Sequence, residues 1–122
     1  MIEPKIILIV DDDPDTLEFL SYNFRKSGFE VHTTIDAEDA LLKAEATLPD
    51  LILSDIKMPG MNGIEMCVRL KGHNILKKIP VFFLTGVGDD YLALLANNSG
   101  GSHYITKPVQ FKVLLNIVLD GL

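Results

Sequence analysis

The stretch Leu51-Ile52-Leu53-Ser54-Asp55-Ile56-Lys57-Met58-Pro59-Gly60 sets the reading of this chain. Leu51 to Ser54 read as a buried strand that delivers one carboxylate, Asp55, to a point where Pro59 and Gly60 turn the chain. In open sheets of parallel strands, ligands bind just beyond the carboxyl ends of the strands. Asp55 is therefore the residue to explain.

Working outward, the same pattern recurs. Lys5 to Val10 is an apolar, β-branched run too short for a typical helix, which suits a strand covered on both faces. It stops at Asp11-Asp12-Asp13-Pro14, where Asp13 is a good N-cap and Pro14 fits the first helical position. Leu17, Leu20 and Phe24 then follow at helical spacing until Gly28. Phe29 to Thr34 reads as a second, peripheral strand, and Asp36 caps a helix whose stripe is Ala40, Leu41, Ala44 and Leu48, ended by Pro49.

Beyond the opening stretch, Ile64, Cys67, Val68 and Leu70 form a shorter helical stripe ending near Gly72, and residues 71–78 read as a solvated basic connection. Val81 to Leu84 is a further apolar run that delivers Thr85 and Gly86. A helix is predicted over Asp89 to Ser99, stopped by Gly100-Gly101, then a short strand over Ser102 to Thr106 leading to Lys107-Pro108. The last helix is predicted from about Val109 to Leu119, with Phe111, Leu114, Leu115 and Val118 on one stripe and Val113 and Ile117 on another. Five strands alternating with five helices imply an α/β, doubly wound (βα)5 fold: a parallel sheet with helices on both faces and right-handed crossovers.

Composition narrows the function. At 122 residues the chain is expected to form one unit over residues 1–122. Its net charge of −6, with the basic residues scattered, argues against gripping nucleic acid or anionic membrane directly. No run approaches the roughly 20 apolar residues that span a bilayer. The short apolar run within Met1 to Val10 is followed by three aspartates, where a signal peptide would need small residues. Cys67, the single cysteine, cannot form an internal disulfide and reads as a small core filler in a reducing, cytoplasmic setting.

The residues that end the strands form a chemical set. The first strand supplies Asp11 and Asp12, the third Asp55, the fourth Thr85 and the fifth Lys107. Crowded carboxylates repel, so at neutral pH they share a proton or recruit a cation. Oxygen ligands with positions left for water favour Mg²⁺. A lysine and a hydroxyl beside the metal would complete a cradle for phosphoryl oxygens, with Asp55 as the nucleophile that forms an acyl phosphate. Taken singly, each of these residues has an ordinary structural explanation as a cap, a turn residue or a surface lysine, and Asp13 is assigned wholly to capping.

In combination, Ile7 to Pro14, Asp55-Ile56-Lys57-Met58-Pro59-Gly60-Met61-Asn62-Gly63, Leu84-Thr85-Gly86 and Tyr104-Ile105-Thr106-Lys107-Pro108 resemble a response-regulator receiver domain of two-component signalling. The separations are 43 residues from Asp12 to Asp55, 30 on to Thr85 and 22 on to Lys107. The resemblance implies a flavodoxin-like sheet of strand order 2-1-3-4-5. It also implies that Asp55 accepts a phosphoryl group from a phosphohistidine on a histidine kinase or histidine phosphotransfer protein. Mg²⁺ would be bound by Asp12, Asp55 and the Lys57 backbone carbonyl, with Asp11 acting largely through water. By the same resemblance Thr85 and Lys107 hold phosphoryl oxygens, Tyr104 is an aromatic switch, and the Lys107–Pro108 peptide is cis.

The implied output is a changed surface on the fourth helix, fifth strand and fifth helix, read by a downstream effector protein or output domain, or used for homodimerisation. Few charges on the last helix, essentially Lys112 and Asp120, disfavour a dimer built on interlocking salt bridges. Val113, Ile117, Tyr91 and Leu94 could leave an apolar patch there, or be buried against the sheet. The chain departs from many relatives at Gly86, in place of Ala, and at Ser102-His103, in place of an acidic pair. By the same resemblance Lys57 and Val87 border the path of an attacking water, and the apolar Val87 predicts slow autodephosphorylation. A switch rather than a turnover enzyme is expected. The alternatives are a Mg²⁺-dependent phosphatase working through an aspartyl phosphate, or a receiver-like scaffold that takes no phosphate. The Asp-x-Asp-x-Thr spacing of aspartate-nucleophile hydrolases fails because position 15 is Asp.

Overall fold

A computed structural model describes residues 3–86, 100–108 and 110–122, the side chain of Thr85 excepted. The elements in chain order are β1 (Ile6–Val10), α1 (Pro14–Lys26), β2 (Glu30–Thr34), α2 (Ala37–Thr47), β3 (Leu51–Asp55), α3 (Gly63–Lys71), a 3-10 turn (Leu76–Lys78), β4 (Val81–Thr85), β5 (His103–Thr106) and α4 (Phe111–Asp120). The predicted helix over 89–99 and the residue Val109 lie outside the described residues. The five strands form one parallel sheet in the order β2-β1-β3-β4-β5, the flavodoxin-like arrangement.

Side chains alternate across each strand, so the apolar runs feed two cores at once. Leu8, Val10, Ile52, Val81 and Phe83 meet Ala40, Ala44, Met66, Cys67 and Leu70 of α2 and α3 on one face. On the other, Ile7, Ile9, Leu53 and Phe82 meet Leu17, Leu20 and Phe24 of α1 and Leu114 and Val118 of α4. Burying each such Leu, Ile or Phe contributes about 1.5–3 kcal/mol. The Phe24 ring stands edge-on to Phe29 at 5.3 Å and to Phe111 at 4.9 Å, which ties α1 to the entry of β2 and to α4.

Helix starts follow the expected capping chemistry. Asp13 accepts from the Asp15 N–H and the Thr16 hydroxyl with Pro14 behind it, and Asp36 accepts from the Asp39 N–H. Helix α3 has a reciprocal capping box between Asn62 and Glu65, which fixes where the β3–α3 loop ends.

Three expectations are corrected. Leu48 is 54% exposed and stands past α2 as a left-handed cap with φ 47°, because Pro49 stops the helix before the stripe reaches it. Val68 is 55% exposed, and Met66 takes the buried position on α3 instead. Residues 71–78 are more than a solvated connection. Leu76 of the 3-10 turn is buried, and His73 Nδ1 accepts from the Ile75 and Leu76 N–H groups to cap that turn.

Candidate functional site

Parallel register brings the strand ends to one edge of the sheet. Asp55 is the last residue of β3 and pairs with Leu84, while Thr85 pairs with Thr106. Asp11 follows β1, where its N–H donates to the Thr34 carbonyl of β2 (3.1 Å). Its side chain is 1% exposed, and its Oδ1 accepts from the Asp13 N–H (2.9 Å). The side chain of Asp55 is 14% exposed, with Oδ1 accepting from the Ile56 N–H (2.8 Å). Lys107, just past β5, directs Nζ to Asp11 Oδ2 at 3.2 Å and to Asp55 Oδ2 at 3.4 Å. Its peptide bond to Pro108 is cis, as the resemblance implied.

Carboxylate oxygens of Asp11, Asp12 and Asp55 lie within 4.8 Å of one another. Asp12 is exposed and faces an open cleft of about 440 Å³, which Ile56, Lys57, Met58, Pro59, Gly60 and Asn62 also line. Burial raises the pKa of Asp55, Lys107 pulls it down, and the neighbouring Asp11 pushes it up again, leaving it above the ordinary carboxylate value. For Lys107, burial alone would lower the ammonium pKa, but Asp11 and Asp55 together outweigh it and raise the value. One ammonium thus serves two carboxylates, with a third carboxylate beside them. This all-oxygen donor set, open to water on the Asp12 side, fits a small hard cation such as Mg²⁺.

The remaining predicted residues are placed less centrally. Lys57 is exposed on the β3–α3 loop, beside Asp12 across the cleft. Thr85 ends β4 next to Asp55 and Lys107 in strand order, and its side chain lies outside the described residues. Tyr104 is half-buried on β5, its ring parallel to that of Phe83 (7° between planes, centroids 6.5 Å apart), and burial raises its phenol pKa. Val87, and with it the basis for slow autodephosphorylation, falls outside the described residues, as do Tyr91 and Leu94 of the apolar patch. Of that patch, Val113 is 48% exposed and Ile117 packs partly against the core. His103 is exposed on its strand, with its ring edge-on to Phe82.

Two residues adjoining Asp55 were not singled out by sequence reasoning. Ser54 is fully buried, and its hydroxyl donates to the Asp55 carbonyl (2.8 Å). Gly63 packs against that same carbonyl so closely that a methyl group there would overlap it. A serine inside an otherwise apolar strand was the available signal for the first.

The chain is 38% identical over 104 residues to the alkaline phosphatase synthesis transcriptional regulatory protein PhoP of Bacillus subtilis (strain 168), a match covering 85% of this chain and 42% of PhoP. It is 37% identical over 109 residues to the DNA-binding response regulator MtrA of Mycolicibacterium smegmatis, covering 89% of this chain and 46% of MtrA. The chain therefore spans under half the length of these relatives.

Among solved structures, the chemotaxis response regulator CheY4 of Vibrio cholerae matches with a TM-score of 0.91 and 28% identity over 98% of this chain and 99% of CheY4. The signal receiver domain of a signal transduction histidine kinase from Syntrophus aciditrophicus matches with a TM-score of 0.90 and 35% identity over 97% of this chain and 89% of that one. Residues 7–119, which carry the acidic cluster and all of the five strands but Ile6, match the response regulator receiver domain as a family, and to that family this chain belongs.

Proposed function

We propose that residues 1–122 form one receiver domain that works as a phosphorylation-controlled switch, in which Asp55 takes a phosphoryl group from a phosphohistidine of a histidine kinase or histidine phosphotransfer protein. The observation that carries this reading is the Lys107 ammonium, which bridges Asp55 and the buried Asp11. In the step proposed, a carboxylate oxygen of Asp55 attacks phosphorus, the O–P bond forms and the P–N bond to the donor imidazole breaks with its electron pair staying on nitrogen. The Ile56 N–H fixes the carboxylate's orientation, and Lys107 neutralises charge that gathers on the phosphoryl oxygens, where electrostatic positioning is worth most. Asp12, Asp55 and the Lys57 carbonyl would hold Mg²⁺, with Asp11 assisting through water. When bound, the ion supplies further neutralisation of the phosphoryl oxygens.

The new group adds about two negative charges beside Lys107. Lys107 would exchange its carboxylate contacts for phosphoryl oxygens, with Thr85 as the second ligand. Tyr104, half-buried now, would turn inward and alter the face made by the 89–99 segment, β5 and α4. That face would be read by a downstream effector protein or output domain, or by a second copy of the chain, without direct contact of this unit with nucleic acid or membrane. Among the described residues no helix is long and apolar enough to cross a membrane. The compartment proposed is the cytoplasm, in keeping with a single, buried cysteine.

The test is to incubate the protein with Mg²⁺ and acetyl phosphate and to measure its intact mass beside Asp55→Asn. A gain of one phosphoryl group, lost in the variant and on chelation, supports the switch. Sustained release of phosphate from unrelated esters would assign it to the phosphatase class, and no gain would make it a scaffold.

A further inference from the structure

Ser54 precedes Asp55 in β3, the middle strand of the sheet, and is fully buried. A hydroxyl placed there costs free energy unless it is hydrogen-bonded, and an apolar side chain would suit the surrounding core better. Its Oγ donates to the Asp55 carbonyl oxygen at 2.8 Å. That carbonyl is confined on another side by Gly63, whose Cα leaves no room for a methyl group and whose N–H donates to the next carbonyl, Ile56, at 2.9 Å.

The Asp55–Ile56 peptide is planar, so its carbonyl and its N–H turn as one body. The N–H end donates to Asp55 Oδ1 at 2.8 Å, while Oδ2 faces Lys107 at 3.4 Å. A bond made by Ser54 at one edge of the plane therefore sets where the N–H points at the other. That in turn decides which carboxylate oxygen is tied and which is presented to the lysine.

We propose that Ser54 is a positioning residue: its hydroxyl holds the Asp55–Ile56 peptide so that Oδ1 stays engaged by the Ile56 N–H and Oδ2 stays turned toward Lys107. The geometric half stands by itself. Its consequence for rate rests on Asp55 being the phosphoacceptor.

The experiment pairs hydrogen exchange at the Ile56 amide with the rate of phosphorylation by acetyl phosphate and Mg²⁺, in wild type, Ser54→Ala and Ser54→Thr. Removing the hydroxyl is expected to speed Ile56 exchange about tenfold while the amides of Ile52 and Leu53 keep their protection. Phosphorylation should slow about tenfold, since small misplacement of a reacting group is costly. Ser54→Thr keeps the hydroxyl and should restore both. If its extra methyl crowds the core, Ser54→Cys, with a weaker donor, should fall between wild type and Ser54→Ala.

An unchanged Ile56 amide, an unchanged rate, or an equal loss of protection throughout β3 would each overturn the proposal. Should the wild type accept no phosphoryl group, the phosphoacceptor reading fails separately. The exchange data then decide the role of Ser54 without it.

Discussion

Lys107 Nζ lies 3.4 Å from Asp55 Oδ2, a contact that joins the end of β5 to the end of β3 across β4. The same ammonium reaches Asp11, so the ion pair is one side of a triangle in which two carboxylates compete for one cation. Such an arrangement is poised: any group that brings negative oxygens to Lys107, or a positive ion to the aspartates, relieves it.

Lys107→Ala should therefore harm the resting protein as well as its response. It leaves Asp11, at 1% exposure, without its ammonium and facing Asp55. The cost expected is about 2 kcal/mol, below that of breaking a fully buried pair because Lys107 keeps part of its surface in water. In thermal melts this is a fall of about 8 °C. A midpoint equal to wild type would show that the pair contributes nothing.

The raised pKa of Asp55 fixes the sign of a pH effect. The folded metal-free protein holds its Asp55 proton to higher pH than the unfolded chain, whose ordinary value is 3.8. Stability then falls as pH rises from about that value through the folded one. Asp55→Asn should abolish this loss and raise the neutral-pH midpoint. Lys107 works at the other limit. Its pKa is raised above 10.5, so its contribution is complete below 10.5 and disappears as pH climbs through the folded value. Urea titrations at several pH values would detect both trends.

Magnesium should stabilise the protein by mass action. At about one hundred times its dissociation constant the gain is ~2.7 kcal/mol, and chelation should remove it. Asp12→Ala, which deletes the exposed carboxylate facing the cleft, should abolish the gain with little change in the metal-free midpoint. A Mg²⁺ shift that survives Asp12→Ala would move the ion elsewhere.

Gly63→Ala should lower stability by about 2 kcal/mol, because the added methyl group meets the Asp55 backbone rather than a side chain that can swing away. The structural signature is displacement of the Asp55 and Ile56 amide resonances with the α4 resonances unmoved.

Much of this architecture could be read from the chain itself, and the reasons are local. Apolar runs of four to six residues ending in Asp11, Asp55 and Thr85, with a shorter mixed run ending in Lys107, marked the strands, and alternation with capped helices pointed to a parallel sheet. A common sheet edge for those ends follows from topology, without any side-chain detail. Periodicity failed at Leu48 and Val68, which fit helical spacing, yet one falls just past the end of α2, ahead of Pro49, and the other on the solvent side of α3. Leu76 was missed because nothing in the sequence separates it from the exposed Ile75 beside it in a segment rich in basic residues. Distances were never legible in the sequence, and with them the sharing of Lys107 between two aspartates and the grip of Ser54 on the Asp55 peptide.

If Asp55 itself carries the phosphoryl group, chemical trapping will find it there. After treatment with acetyl phosphate and Mg²⁺, borohydride reduces an aspartyl phosphate to homoserine, which peptide mass mapping locates. Homoserine at position 55 alone is the result expected. Homoserine at position 11 or 12, or a phosphoryl group retained on another residue with Asp55 unmodified, would show that Asp55 is not the acceptor.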